Sequence, residues 1–365
     1  VKLEASVRHV RWRSPLRAAY AAATDVPGAT DTRPLVLVRV EADDGAVGYG
    51  EAAPLVEYDG ITLDAVLGAL RLYERVLADA PGRSDTELPA DGPDRSHREL
   101  LAGCTSVAPL PQALAAIDLA LWDLAGRRAG QPIWSLLGSD SAPVVELNAA
   151  IGAEDPARAA SEACEAVERG FGCVKVKVGL GDDLARVRAV RRAVGPDVRL
   201  RLDANGAWAP EQAVESLRGM ADLDVELCEE PVHGVTELAT VADALPEMTI
   251  AADETAADPI LLRARVCDSV CLKVSRCGGI SGVMHDALSA RAAGYDIYLA
   301  STMDGPLGIA AALHVAAVVQ PARACGLATL ERFDAPDVLP IRGGQLAPPA
   351  GPGLGDGLVG WYDSL

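Results

Sequence analysis

Three of the chain's four lysines, Lys175, Lys177 and Lys273, lie inside apolar runs, CVKVKV and SVCLKV, that read as buried strands, while the remaining basic residues are almost all arginine. An ammonium can give up its proton and a guanidinium cannot. Lysines kept in such places therefore point to an amine acting as acid or base. A single strand lysine more often threads its ammonium to the sheet rim, but three of four in buried runs argue against that reading for the set.

The polar residues that end the neighbouring apolar runs form a series, Lys177, Asp203, Glu229, Asp253 and Lys273, with gaps of 26, 26, 24 and 20 residues. Each gap is about one strand and helix long, so a repeating βα unit brings all five to one mouth, the face on which barrel enzymes do chemistry. Three carboxylates meeting there repel one another unless a hard divalent cation joins them. Mg2+ suits such an oxygen set, with Mn2+ as the alternative. Any one of these acids alone reads equally well as a helix N-cap. Glu230 and Glu254 compete with their neighbours as ligands, and strand alternation lets only one of each pair point inward. Lys175 shares a face with Lys177. A metal-held carboxylate flanked by lysines is a site for removing a proton α to a carboxylate. The metal stabilises the enediolate, and a lysine whose pKa is lowered by a neighbouring cation such as Lys175 accepts the proton.

The elements that must position these groups are visible in outline. The segment LVLVRVEADDGAVGYGEAAP alternates about Asp44-Gly45 as a hairpin does. Helical spacing runs from Leu63 to Asp79, then a Pro/Gly/Asp-rich loop from Asp79 to Arg98 leads to the helix PQALAAIDLALWDLAGRRAG, ended by Gly130 and Pro132. From Val144 onward, eight candidate strands (VVELN, CVKVKV, VRLRLDAN, VELCEEP, TIAADE, SVCLKV, YDIYLAST and ACGLATL) alternate with Ala/Arg-rich helices. That pattern predicts an α/β fold with a closed (β/α)8-type barrel rather than an open sheet. Gly179 and Gly181 follow a strand, but the third glycine is missing and acids stand where a pyrophosphate would sit, which disfavours a dinucleotide site.

Composition narrows the partners. Fifty per cent apolar residues support a large core, and a net charge of −19 makes nucleic acid and anionic membrane poor partners. The start VKLEASVRHVRW alternates like a strand with no apolar leader, and eight cysteines scattered without CxxC spacing read as reduced core thiols, so a cytoplasmic protein is expected.

An ordered set of motifs resembles the enolase superfamily, muconate lactonizing enzyme subgroup. It comprises GYGEAAP at 48–54, AAIDLALWDLAGRRAGQP at 115–132, KVK at 175–177, LDAN at 202–205, EEP at 229–231, ADE at 252–254 and LKVSRCGGI at 272–280. The resemblance implies an α+β capping domain over residues 1–130, with a tail (335–365) packing back on it, and a catalytic barrel over residues 131–334. It implies Asp203, Glu229 and Asp253 as metal ligands and Lys177 and Lys273 facing each other across a small carboxylate substrate, with Lys175 tuning Lys177. Asn205, Glu254, Ser301, Asp304, Tyr20 and Tyr58 are then the supporting or substrate-contacting residues, with Arg17 beside Tyr20 in a lid-like loop over residues 14–34. Mandelate-racemase-like members place a His on a late strand, which this chain lacks. The family implies association of copies into a homo-oligomer.

Within the subgroup, LASTMDGPLGIAAALHVAAV, ACGLATL and GYGEAAPLVEYDG resemble o-succinylbenzoate synthases, which implies dehydration of a cyclohexadiene carboxylate with a succinyl side chain. The alternatives are racemisation or epimerisation of N-acylated amino acids or dipeptides, and muconate-type cycloisomerisation. Dipeptide epimerases carry an acidic pair after the seventh strand to hold an α-ammonium. Here Asp304 alone precedes Gly305-Pro306, which disfavours a cationic substrate end. A catalytically silent barrel is the reading from another class, and retention of all five polar residues argues against it.

Overall fold

The structure is a computed structural model and describes residues 1–13, 31–78 and 95–365. Strands β1 (Lys2–Arg11), β2 (Thr32–Glu41) and β3 (Val47–Ala52) form an antiparallel sheet in that order. The β2–β3 turn falls at the expected place: Gly45 takes φ +82°, and Asp44 Oδ1 accepts the Ala46 N–H at 3.0 Å. Val36, Val38 and Val40 on β2 are fully buried and share a cluster with Leu70, Tyr73 and Leu77 of the helix Leu63–Ala78. The helix Pro111–Ala129 begins with proline in its first turn and stops where Gly130 turns left-handed, φ +63°. It lies directly on β3. A Cβ at Gly50 would sit 2.0 Å from the Ala116 carbonyl oxygen, so the GYG run exists to let helix and strand backbones touch.

The second unit is the predicted barrel, with two departures. The short β4 (Val145–Glu146) pairs antiparallel with β12 (Gln345–Leu346), outside the ring. The ring itself comprises β5 (Ala149–Ile151), β6 (Cys173–Lys177), β7 (Arg199–Asp203), β8 (Val225–Glu229), β9 (Ile250–Ala252), β10 (Ser269–Lys273) and β11 (Asp296–Ala300), all parallel and adjacent in chain order. VVELN is therefore split: Gln345 and Leu346 hold its Val145 and Glu146, Leu147 takes part in closing the ring, and the strand that pairs with β6 is Ala149–Ile151. ACGLATL is not a regular strand either. Cys325 and Gly326 close the ring by single bridges to Leu147 and Ala300, with Cys325 N donating to Glu146 O at 2.7 Å and Gly326 N to Leu299 O at 2.8 Å. A Cβ on Gly326 would meet Ala300 Cβ at 3.1 Å, so the approach is close and the segment short. The connecting helices start as their sequences indicate, Pro156, Pro210 and Pro306 at first turns and Asp155 and Asp182 as side-chain caps.

Buried polar groups join the sheet of β1–β3 to the barrel. The Arg33 guanidinium is buried and donates to the carbonyls of Ala53, Pro54, Thr302 and Met303. Glu51 accepts from Gly305 N at 2.7 Å and from the Tyr362 hydroxyl, and burial, with Asp304 nearby, raises its pKa well above the carboxylate range. Tyr362 lies in the late helix Val359–Asp363, and its carbonyl accepts from Arg8 Nε at 3.0 Å. All eight cysteines are free thiols, most of them buried. No helix of the described residues is long and apolar enough to cross a membrane.

Candidate active site

Strand register puts Lys177, Asp203 and Glu229 side by side at the ends of β6, β7 and β8. Lys273 ends β10, and Asp253 follows β9 directly. In a ring of eight positions β6 and β10 are four apart. Lys177 and Lys273 thus enter from opposite walls, and the three acids occupy the arc between them. All five line a cavity of about 1150 Å3 together with Lys175, Asn205, Tyr58, Trp12, Leu55 and Met303.

The groups are knitted together at short range. Lys175 Nζ lies 2.9 Å from Asp203 Oδ2 and 2.8 Å from Glu229 Oε1, and Lys177 Nζ lies 2.6 Å from Asp203 Oδ2 and 2.6 Å from Asn205 Oδ1. Lys273 Nζ lies 2.5 Å from both Asp253 Oδ2 and the Tyr58 hydroxyl, and the Tyr58 hydroxyl is 2.8 Å from the same carboxylate oxygen. Burial alone would raise Asp203, but Lys175 and Lys177 outweigh it and hold that carboxyl below its usual range. Asp253 is lowered in the same way, Lys273 and Arg276 overcoming burial. Glu229 goes up, because burial outweighs Lys175. Burial opposes charge on Lys175 and Lys273, yet the adjoining carboxylates prevail and raise both.

Both acid pairs sort by orientation. Glu230, at φ +40°, turns from the cavity and accepts the N–H groups of Asp253 (2.7 Å) and Thr255 (2.9 Å), with His233 Nδ1 at 3.0 Å. Glu254 Oε1 accepts from Asn205 Nδ2 at 3.0 Å, and burial, then the charge of Asp253, pushes its carboxyl up to about 8. Asn205 itself stands at φ +45°, a conformation asparagine tolerates, which lets its amide reach Lys177 while its N–H meets Asp203 Oδ1 at 3.1 Å. Ser301 lines the cavity and bonds Thr329 Oγ1 at 2.8 Å. Asp304 is absent from the lining; it is buried beside Glu51 and Arg33, at the joint with the sheet of β1–β3. Arg17, Tyr20 and most of the loop 14–34 lie outside the described residues.

Two participants went unread in the sequence. Arg276 donates from Nη1 to the Tyr58 hydroxyl (2.9 Å) and from Nη2 to the Glu254 carbonyl (2.8 Å), and the Tyr58 ring lies 4.3 Å from Lys273 Nζ and 5.2 Å from the Arg276 guanidinium. Tyr298 donates to Glu229 Oε2 at 2.6 Å from inside the barrel. Strand alternation carried a signal for Tyr298, which precedes the inward position of Ala300 by two residues.

The residues fit a hard divalent cation. Asp253 Oδ1 is buried without a hydrogen-bond partner, carboxylate oxygens of Glu229 and Asp253 lie within 4.8 Å of each other, and Asp203 and Glu229 share the Lys175 ammonium. Cys271 Sγ lies within 4.8 Å of Glu229 and Asp253 oxygens, but burial, reinforced by Asp253, raises that thiol well above its ordinary pKa, so it stays a neutral, soft and poor partner for such an ion.

Comparison with known proteins agrees with this geometry. Residues 158–358 match the family model described as enolase C-terminal domain-like, and residues 90–138 match that of the mandelate racemase / muconate lactonizing enzyme N-terminal domain. The chain belongs to the muconate lactonizing enzyme subgroup of the enolase superfamily. Within this superfamily, a hydrophobic dipeptide epimerase of Enterococcus faecalis is 34% identical over 300 residues, 80% of this chain and 81% of its own length. An L-Ala-D/L-Glu epimerase of Bacillus subtilis is 34% identical over 341 residues, 88% of each chain. The crystal structure of dipeptide epimerase from Enterococcus faecalis V583 complexed with Mg and the dipeptide L-Leu-L-Tyr matches with a TM-score of 0.82 at 28% identity, covering 97% of this chain and 98% of that one. An o-succinylbenzoate synthase of Thermobifida fusca, also 34% identical, covers only 62% of this chain and 73% of its own.

These matches favour the isomerase alternative over the expected dehydration. The reason is physical. LASTMDGPLGIAAALHVAAV, part of the synthase resemblance, is mostly the helix Pro306–Val319, almost wholly buried, and only its first residues, Ala300 to Met303, line the cavity. Asp304, the lone acid found where dipeptide epimerases are expected to carry a pair, does not line the cavity.

Proposed function

We propose that the chain is a divalent-metal-dependent racemase or epimerase that inverts the α-carbon of a dipeptide or an N-acylated amino acid. The observation that carries this reading is the placement of Lys177 and Lys273 on diametrically opposed strands across three acids. Dehydration needs one base on one face, whereas inversion needs a proton taken from one face and returned on the other. Asp203, Glu229 and Asp253 would hold Mg2+, which when bound supplies a Lewis acid for the substrate carboxylate. The acids that hold Lys273 protonated would have their charge taken up by a bound cation, freeing one amine to accept the α-proton as the electron pair of the broken C–H bond passes into the carboxylate. The opposite ammonium donates its proton to the carbon from the other side. Asn205 orients Lys177; Tyr58 and Arg276 orient Lys273. The cavity of about 1150 Å3 leaves room beyond the reacting carbon for a second residue or an acyl group.

The test is proton NMR in D2O with Mg2+, following the α-proton of dipeptides such as L-Ala-L-Glu and L-Leu-L-Tyr and of N-acylated amino acids. Loss of the α-proton signal with appearance of the epimer, abolished by EDTA, is the expected outcome. Lys177→Ala should still exchange one epimer and Lys273→Ala only the other. Turnover of the cyclohexadiene precursor of o-succinylbenzoate, with no inversion of any amino-acid substrate, would overturn the proposal.

A further inference from the structure

We infer that Tyr298 is a positioning residue that fixes Glu229 in a single orientation toward a bound divalent cation, supported from beneath by Arg201. This rests on the metal reading above and concerns a residue that makes no contact with the cavity. Register pairs Tyr298 with Cys271 two residues below the Lys273–Ala300 pair, so its side chain points into the barrel under the site. Its hydroxyl donates to Glu229 Oε2 at 2.6 Å, while Lys175 Nζ lies 2.8 Å from Oε1. One oxygen of the carboxylate is thus tied from below, and only the other is presented to the lysine side. A free carboxylate can rotate or offer both oxygens; this one cannot.

The phenol is itself held in place. The Arg201 guanidinium lies 5.2 Å from the centre of the Tyr298 ring and is fully buried. Arg201 Nε donates to Glu226 Oε2 at 2.6 Å and Nη1 to the Ala324 carbonyl at 2.7 Å. Glu226 is anchored in turn by Arg323 Nη1 at 3.1 Å. The register shift in β8, between its pairings with Leu200 and Arg201, supplies the extra residue that brings Glu226 to Arg201. A continuous series therefore runs from half-buried Glu226 through buried Arg201 and Tyr298 to one ligand, Glu229.

Ion size gives a readout that ordinary loss of packing would not move. Mg2+ demands compact octahedral geometry, whereas Ca2+ is larger and accepts carboxylates through both oxygens. Tyr298→Phe keeps the ring and removes the one donor, freeing Oε2. Calorimetric titration of the metal-free protein with MgCl2 and, separately, CaCl2 should show Mg2+ binding weakened about tenfold in Tyr298→Phe, with Ca2+ weakened less or strengthened, so that the affinity ratio shifts toward Ca2+. Unchanged affinities, or both ions weakened by one factor, would overturn the inference. Glu229→Gln is the control. Loss of Mg2+ binding there, with Tyr298→Phe like wild type, overturns this inference alone. Wild-type Mg2+ affinity in Glu229→Gln overturns the metal assignment of Glu229, and this inference with it.

Discussion

Asn205 and Glu230 each stand just beyond a strand that delivers an acid, and each has left-handed backbone torsions. For Glu230 this costs roughly 1–2 kcal/mol, offset by a carboxylate that ties down the backbone of Asp253 and Thr255. The acids and lysines were readable because a charge inside an apolar strand is conspicuous, and the alternation rule correctly allowed one inward member per pair. Which member is inward depends on these torsions, which no spacing encodes. Tyr58 was readable as a candidate substrate contact of the cap; its role follows from meeting Lys273, Asp253 and Arg276 across a long gap in sequence. Tyr58→Phe should therefore slow solvent exchange of the epimer served by Lys273 about tenfold, since bonds to charged groups are the stronger ones. Exchange of the other epimer should be little changed, and NMR in D2O reads both. Equal slowing of the two would remove Tyr58 from any face-specific role.

At the scale of elements, the regular strands β6 to β11 were legible because each combines an apolar run, a polar residue at or just past its end and a following helix start. The ends of the ring were not, because a two-residue pairing with β12 and two isolated bridges at Cys325 and Gly326 leave no periodic trace. Element contacts make two predictions. Gly50→Ala would drive a methyl into the Ala116 carbonyl, so urea unfolding should show a loss at or above the roughly 1–3 kcal/mol usual for overpacking. His314, inside the buried helix Pro306–Val319, accepts the Trp134 N–H on Nδ1 at 3.4 Å and faces the Leu354 carbonyl with Nε2 at 3.2 Å. Burial lowers its pKa from 6.5 to about 4. Above pH 6.5 the ring is neutral folded or unfolded. As pH falls below that, the unfolded chain takes the proton first, and stability declines until about pH 4, by about 3 kcal/mol in all. Urea melts between pH 7 and pH 4.5 should show a shallower decline in His314→Gln than in wild type; parallel declines would exclude the histidine as the source.

For the whole molecule, the barrel and its superfamily chemistry were within reach of sequence, but the reaction was not. The acids and lysines name the proton abstraction, and the segments that suggested a synthase put only part of their length at the cavity. Metal should stabilise the fold as well as serve the site, because the three acids come from separate strands and converge only in the native state. At a hundredfold excess over its dissociation constant, Mg2+ should add about 2.7 kcal/mol, seen by calorimetry as a raised melting temperature that EDTA reverses; Asp203→Asn should lose that increment. The Arg8 to Tyr362 bond joins residues 354 positions apart, and Tyr362 also supplies the hydroxyl that meets Glu51. A growing polypeptide can therefore assemble every strand of the ring, and the Arg33 and Gly305 ties between its two units, before the Tyr362 contacts exist. Nascent chains stalled before residue 359 should leave β1 less firmly held, with protease sites near it more open until the helix Val359–Asp363 is made.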